Sequence, residues 1–312
     1  MITKYLDPKN DLAFKKIFGQ EKKKEIPISF LNAVFNLKGE DTIVDLEFLD
    51  GVQQPEIEAR KESIVDVLVR DQKGTKYIIE MQVAKIEGFE KRAQYYAAKT
   101  YCSYFNVGNP YDSLKKVVFL AITSYEVFPN KKDVYKSDHV VLDRASYEND
   151  LQDFSFTFVE LPKFNKTLDE LETLEDKWYY FLKHAEESQS IAAPLKKSHE
   201  IQEAFHILER NHWSEAEIRN YERIAMAVAD AQGAIVAAKK DGRAEGREEG
   251  RQEGRQEGLQ EGIQEGIQEG MQRGIEKMVL QMLKNGMDVQ QIAEMSGLDF
   301  SEVERLRQTK SI

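Results

Sequence analysis

A chain of 312 residues, 41 % hydrophobic and 10 % aromatic, is long enough for one sizeable core with an appendage or for two modest domains. A net charge of −11 excludes a protein that coats nucleic acid by bulk electrostatics. The single cysteine, Cys102, excludes an intrachain disulfide and a cysteine-rich zinc centre. No apolar run approaches the ~18 residues of a membrane span and the start, MITKYLDPKND, lacks signal-peptide character, so a cytoplasmic protein with no membrane partner is expected.

Asp11 to Phe18 places Leu12, Phe14, Ile17 and Phe18 near helical spacing, with Gly19 as the stop. Asp11 is either a cap of this helix or a neighbour of the hairpin described next. After the lysines at 22–24, residues 26–37 (IPISFLNAVFNL) are apolar around most of a helical circumference, which predicts a buried helix. Thr42 to Leu49 alternates apolar with acidic and predicts a first strand.

Ser63 to Arg70 and Lys76 to Val83 alternate as the two strands of a hairpin. Gly74 stands where a three-residue loop needs a positive φ, so Asp71 should face Thr75. That register sets Asp66 opposite Glu80 and Ile64 opposite Gln82. Ile64, Asp66 and Leu68 then share a sheet face with Ile78, Glu80 and Gln82. Two opposed carboxylates among Ile and Leu are destabilising without a cation. A hard divalent ion such as Mg²⁺ or Mn²⁺ suits them; the alternative is a solvated face with two unrelated acids. Lys61 precedes the first strand and Lys85 follows the second, where each is either a phosphate ligand or an ordinary strand-end charge.

Glu87 to Phe105 reads as a helix with Phe89, Ala93, Tyr96, Ala97 and Tyr104 inward, and with Arg92 and Lys99 on a common face. Lys116 to Ile122 is a continuous apolar run, as in a strand buried on both faces. His139 to Leu142 and Phe154 to Leu161 are further strand candidates, giving an α/β core with a mixed sheet. Beyond Thr167 the pattern is helical. Asp169 to Glu187 turns Leu171, Leu174, Trp178, Phe181 and Leu182 to one side, Ser198 to Asn211 and Ser214 to Lys240 follow, and Ser214 with Glu217 forms a capping box. The five histidines show no HExxH or other metal-ligand spacing.

Glycine recurs at every fourth position from Gly242 to Gly274, and each costs a helix ~1 kcal/mol relative to Ala. The column after each glycine changes from Arg243, Arg247, Arg251 and Arg255 to Leu259, Ile263, Ile267, Met271 and Ile275, while the column before it is Glu. A helix that serves self-association through residues 242–275, or a spacer, is expected, with disorder as the alternative. Asn285 to Arg307 forms a two-helix unit, too acidic to favour DNA binding. The expected division is therefore 1–190, a helical region 191–241, the repeat 242–274 and a helical hairpin 275–312.

The ordered set Asp11-x-x-Phe14-Lys15-x-x-Phe18, Lys61-x4-Asp66, Glu80-x-Gln82 and Arg92-x3-Tyr96 resembles the Rpn family of recombination-promoting nucleases and transposase-like proteins, within the PD-(D/E)XK nuclease superfamily. The resemblance covers roughly residues 1–190, and a glycine-every-fourth tail is also common among members. It implies a restriction-endonuclease-like core, a mixed central sheet flanked by helices, followed by an all-α C-terminal region. It implies a Mg²⁺- (or Mn²⁺-) dependent endonuclease that hydrolyses DNA phosphodiesters and is linked to recombination, mobile elements or defence. Asp66, Glu80 and the backbone carbonyl of Met81 would ligate the metal, and Asp11, Lys15, Lys85 and Arg92 are candidates for DNA contact. Gln82 stands where most of the superfamily has a catalytic lysine. An amide carries no charge, so the missing charge would come from a lysine elsewhere, Lys61 first, then Lys15 or Lys85. A reading from another class stays open: a catalytically weak nuclease-like scaffold that binds DNA or protein partners and oligomerises through its helical tail.

Overall fold

The computed structural model describes residues 3–53, 63–103 and 108–309. Helix α1 (Asp11–Phe18) starts where the Asn10 side chain accepts the Leu12 N–H and ends where the Gly19 N–H returns to the Lys15 carbonyl. Its buried stripe is Ala13, Phe14, Ile17 and Phe18. Helix α2 (Glu25–Val34) buries Ile26, Pro27, Phe30, Leu31 and Val34, with Pro27 in the first turn, where a missing N–H loses nothing.

Strands β1 (Leu46–Phe48), β2 (Val52–Gln53), β3 (Ser63–Ile64), β4 (Val67–Asp71) and β5 (Lys76–Gln82) precede helix α3 (Phe89–Cys102). Then come β6 (Val117–Thr123), β7 (Lys136–Val140) and β8 (Phe154–Glu160). Six of these strands form one sheet in the order β1-β4-β5-β6-β8-β7, parallel across β5-β6-β8 and antiparallel at both edges. β6 is buried along its whole length, as its apolar run requires. β1 is shorter than the expected Thr42–Leu49 strand: ahead of it, Asn32 takes both backbone groups of Ile43, and Gln72 takes the Thr42 carbonyl and the Val44 N–H.

One sheet face, with Val67, Val69, Tyr77, Ile79 and Met81, packs on α1, α2 and on helices α4 (Leu174–His184) and α5 (His199–Leu208). The other, with Leu68, Ile78 and Phe119, packs on Phe89, Ala93 and Ala97 of α3. Tyr104, expected inward on α3, lies outside the described residues. α4 begins later than expected, at a capping box of Thr173 and Asp176. Leu174 is consequently a first-turn residue with an exposed side chain, and Tyr179 joins Trp178, Phe181 and Leu182 inside. The first compact unit continues through Gly233. Within the helical region expected over 191–241, residues up to 233 contribute Phe205, Leu208, Trp213 and Tyr221 to the same core.

The 70-residue helix α6 (Glu215–Lys284) opens on the expected Ser214–Glu217 capping box and contains the whole glycine repeat. The second compact unit, Ala234–Ile312, also holds α7 (Val289–Ser296) and α8 (Phe300–Thr309). Val279, Leu283, Val289, Ile292 and Val303 make its small core, whereas Met295 is exposed. Leu259, Ile263, Ile267 and Met271 line the helix as exposed apolar residues.

Candidate active site

The turn of the β4–β5 hairpin fixes everything at its far end. Gly74 has φ +89°, its N–H reaches the Asp71 carbonyl at 3.0 Å, and the Asp71 N–H reaches the Thr75 carbonyl at 3.0 Å. The ladder pairs Val67 with Ile79, Leu68 with Ile78, Val69 with Tyr77 and Arg70 with Lys76, the register that the sequence predicts. One more step in that register brings Asp66 level with Glu80.

The ladder stops at that step. Ser63 to Arg70 is not one strand: the chain bends at Asp66, and β3 pairs instead with β2. Carboxylates take over from backbone carbonyls at the break. The Asp66 N–H donates to Glu80 Oε1 at 3.3 Å, and the Met81 N–H donates to Asp66 Oδ2 at 2.9 Å. The bend thus turns both acids into acceptors for each other's strand and holds them side by side.

Glu80 is buried, at 3 % exposure. Among the described residues its other oxygen accepts only from Gln82 Nε2, at 3.0 Å, and no ion pair reaches it. Burial and the neighbouring Asp66 charge push its carboxyl up to about 8, against a smaller opposing effect of Arg92. Asp66 is raised to about 6, again first by burial, with the Met81 N–H and Lys15 opposing. Another deeply buried acid, Glu160, makes a useful contrast. It pairs with Lys163 at 2.7 Å and accepts the Val127 and Phe128 N–H groups, which leaves it well compensated. The Asp66–Glu80 pair has two carboxylates and, among the described residues, one ion pair, from Lys15 to Asp66.

Among the described residues, Lys15 is the cation that forms an ion pair with Asp66. Helix α1 delivers its Nζ to 3.4 Å from Asp66 Oδ1 and 2.9 Å from Asp11 Oδ1. Burial alone would lower its pKa, but the Asp11 hydrogen bond and the Asp66 charge prevail, and it is raised. Asp11 therefore lies beside the hairpin, while Asn10 caps the helix. Arg92 stacks on Phe89 and Tyr96, with its guanidinium carbon 5.1 and 5.7 Å from the ring centroids. Its Nε and Nη2 are buried without a hydrogen-bond partner among the described residues. Lys85 is exposed in the link between β5 and α3. Lys61 lies outside the described residues.

The donor set is all oxygen, two carboxylates short of positive charge, which fits a hard divalent cation of the Mg²⁺ or Mn²⁺ type. The unpartnered Arg92 nitrogens fit the oxygens of an anionic substrate. The expectation that Lys61 comes first is neither met nor overturned, since Lys61 lies outside the described residues. The signal for Lys15 was the i, i+4 pair Asp11–Lys15, and its meeting with Asp66 is made by tertiary packing.

A mixed six-stranded sheet flanked by helices, with paired acids where a hairpin ends, defines a PD-(D/E)XK-type core. The sequence model of the PD-(D/E)XK nuclease family transposases matches residues 8–238, and the chain belongs to that family. Residues 238–276, over the glycine repeat, are similar to the N-terminal part of the essential protein Yae1. No curated protein and no solved structure matches the chain. No helix among the described residues is long and apolar enough to cross a membrane.

Proposed function

We propose that this chain is a Mg²⁺- or Mn²⁺-dependent endonuclease that hydrolyses DNA phosphodiesters at the Asp66–Glu80 pair, in a setting of recombination or mobile-element biology. The observation that carries this reading is the buried, undercompensated pair of carboxylates at the end of the β4–β5 ladder. A divalent ion held by those carboxylates and the Met81 carbonyl would supply Lewis acidity and lower the pKa of a bound water. Lys15 keeps Asp66 in its ionised, ligating form and sets an ammonium beside the place where phosphate charge accumulates. Asp11 holds that ammonium in position. Gln82 orients Glu80 through its amide and, having no charge, leaves phosphate neutralisation to Lys15. Arg92 offers two donors to a phosphate oxygen from a stacked position over Phe89 and Tyr96.

Nicking of supercoiled plasmid in Mg²⁺, Mn²⁺ or Ca²⁺ tests the proposal. Asp66→Ala and Glu80→Ala should each abolish metal-dependent nicking while circular dichroism stays that of the folded protein. Cleavage undiminished in both variants would remove the assignment. The exposed stripe Leu259, Ile263, Ile267 and Met271 supports a second element of the proposal, self-association through residues 242–275. Deleting 242–274 should leave a monomer by light scattering. A scaffold without catalysis would show that loss of assembly together with no metal-dependent nicking in the intact chain.

A further inference from the structure

Two of the five histidines, His206 and His212, which carry no recognisable ligand spacing in sequence, meet at one place. α5 ends at Leu208, Glu209 is extended, and a 3₁₀ turn over Arg210–His212 reverses the chain. The reversal brings the His206 and His212 rings to a centroid distance of 4.2 Å and sets Glu209 between them. One potential ligand atom from each of the three lies within 4.8 Å of the others.

Hydrogen bonding settles which nitrogen of His212 is available. Its Nδ1 lies 2.9 Å from the His206 carbonyl, which can only accept, so Nδ1 carries the hydrogen when the ring is neutral. The Nε2 lone pair then faces Glu209 Oε2 at 3.7 Å, and His206 Nδ1 is 4.0 Å from the same oxygen. Both separations are too long for a direct hydrogen bond. They are close to the spacing that a metal imposes: tetrahedral ligands about 2.0–2.2 Å from Zn²⁺ lie about 3.3–3.6 Å apart. An N–H to a backbone carbonyl is also the usual way in which a ligating histidine is held in orientation.

The backbone beneath these side chains is anchored on both sides. Tyr5 bridges Glu209, the Leu6 N–H reaches the Leu208 carbonyl at 3.0 Å, and the Arg210 N–H reaches the Lys4 carbonyl at 3.1 Å. Trp213 Nε1 donates to the Ile207 carbonyl at 2.7 Å. Both rings are exposed and free to adjust, and Lys4 Nζ, 3.9 Å from Glu209 Oε1, would give way to an ion.

We infer that His206, Glu209 and His212 form a binding site for a transition-metal ion of the Zn²⁺ class, separate from the carboxylate pair of the nuclease core. Two imidazoles and one carboxylate suit Zn²⁺, Co²⁺ or Ni²⁺ and are a poor set for Mg²⁺. Three protein ligands leave a fourth position for water. An ion here ties the end of α5 to the turn that leads into α6, and it stabilises the folded unit by mass action.

The test uses the full chain, stripped with EDTA and then supplied with excess Mg²⁺ to occupy the carboxylate pair. Co²⁺ is titrated and followed by its visible d–d absorption, with Zn²⁺ as competitor. Wild type and Asp66→Ala should take up one equivalent with the spectrum of a low-coordinate nitrogen and oxygen site. His206→Gln, His212→Gln and Glu209→Gln should each weaken binding by about tenfold or more. Because the His206 ring is exposed, His206→Gln should melt with wild type in the absence of metal, so a loss of binding there is not a loss of fold. The inference is overturned if wild type shows no such band, if His206→Gln binds as tightly as wild type, or if the band disappears in Asp66→Ala.

Discussion

Replacing Glu80 with Gln removes a buried titratable carboxyl while keeping an oxygen for the Asp66 N–H. The sign of the effect follows from the direction of the shift. A carboxyl that ionises near its ordinary 4.5 in the unfolded chain, but only near about 8 in the fold, makes the unfolded state shed its proton first. The metal-free fold therefore has its full stability at acidic pH and loses it as pH rises from 4.5 to 8. For this one group the loss is ~1 kcal/mol at pH 5 and about 3 kcal/mol at pH 7. Asp66, raised to about 6, adds to the loss in the same direction. Glu80→Gln has no proton to lose, so it should melt above wild type at pH 7 and close to it at pH 5. With roughly 2–4 °C per kcal/mol for a unit of this size, the gap at pH 7 is about 6–12 °C. The assay is thermal unfolding of EDTA-treated protein by circular dichroism across pH 5–8. Added Mg²⁺ should then stabilise wild type and not the variant. A gap that does not grow with pH, or a variant that melts below wild type at pH 7, would refute the claim that Glu80 is an undercompensated acid.

Three further outcomes test the neighbouring parts. Lys15→Met should lower plasmid nicking in Mg²⁺ by about 10²-fold, the usual consequence of removing one charge-stabilising donor. It should also move the acid limb of the pH–rate profile upward, because Asp66 loses the cation that opposes its raised pKa. Arg92→Lys keeps the charge but loses the planar fork, so binding to a short duplex in Ca²⁺, read by fluorescence anisotropy, should weaken roughly 5- to 20-fold, about 1–2 kcal/mol. Gly74→Ala places a side chain at φ +89° with its Cβ 3.3 Å from Lys115 Cγ. Urea denaturation should show a loss of about 1–2 kcal/mol.

The hairpin register was legible because two local signals agree: side chains alternate with period two, and Gly74 supplies the positive φ that closes the loop. β6 was legible for the same reason, since a strand covered on both faces must be apolar throughout. What local patterns could not show was the break at Asp66. Ser63–Arg70 has good strand composition all the way, and the ladder ends where carboxylates replace carbonyls as acceptors for the Asp66 and Met81 N–H groups and β3 turns to β2. The membership of Phe205 and Trp213 in the sheet's core, like the meeting of Lys15 with Asp66, is a product of packing between distant segments.

Gln82 is where the two levels meet. A lysine at this position would place an ammonium close to Glu80 and bring its carboxyl back toward the ordinary range. The amide donates one hydrogen bond to Glu80 Oε2 and leaves the charge deficit intact. Among the described residues the ammonium that pairs with the site comes from α1 and lies on Asp66, so the two acids are compensated unequally, at about 6 and about 8. It follows that a divalent ion entering at neutral pH must displace a proton from Glu80. Mg²⁺ titrations at pH 7 in buffers of different ionisation enthalpy should show release of about one proton per ion in wild type. Gln82→Lys should release distinctly less, since its ammonium has already favoured the ionised form, and its Mg²⁺ affinity should depend less steeply on pH. Equal proton release from the two proteins would mean that the residue at position 82 does not govern the charge state of Glu80, and that the division of labour between Lys15 and Gln82 is wrong.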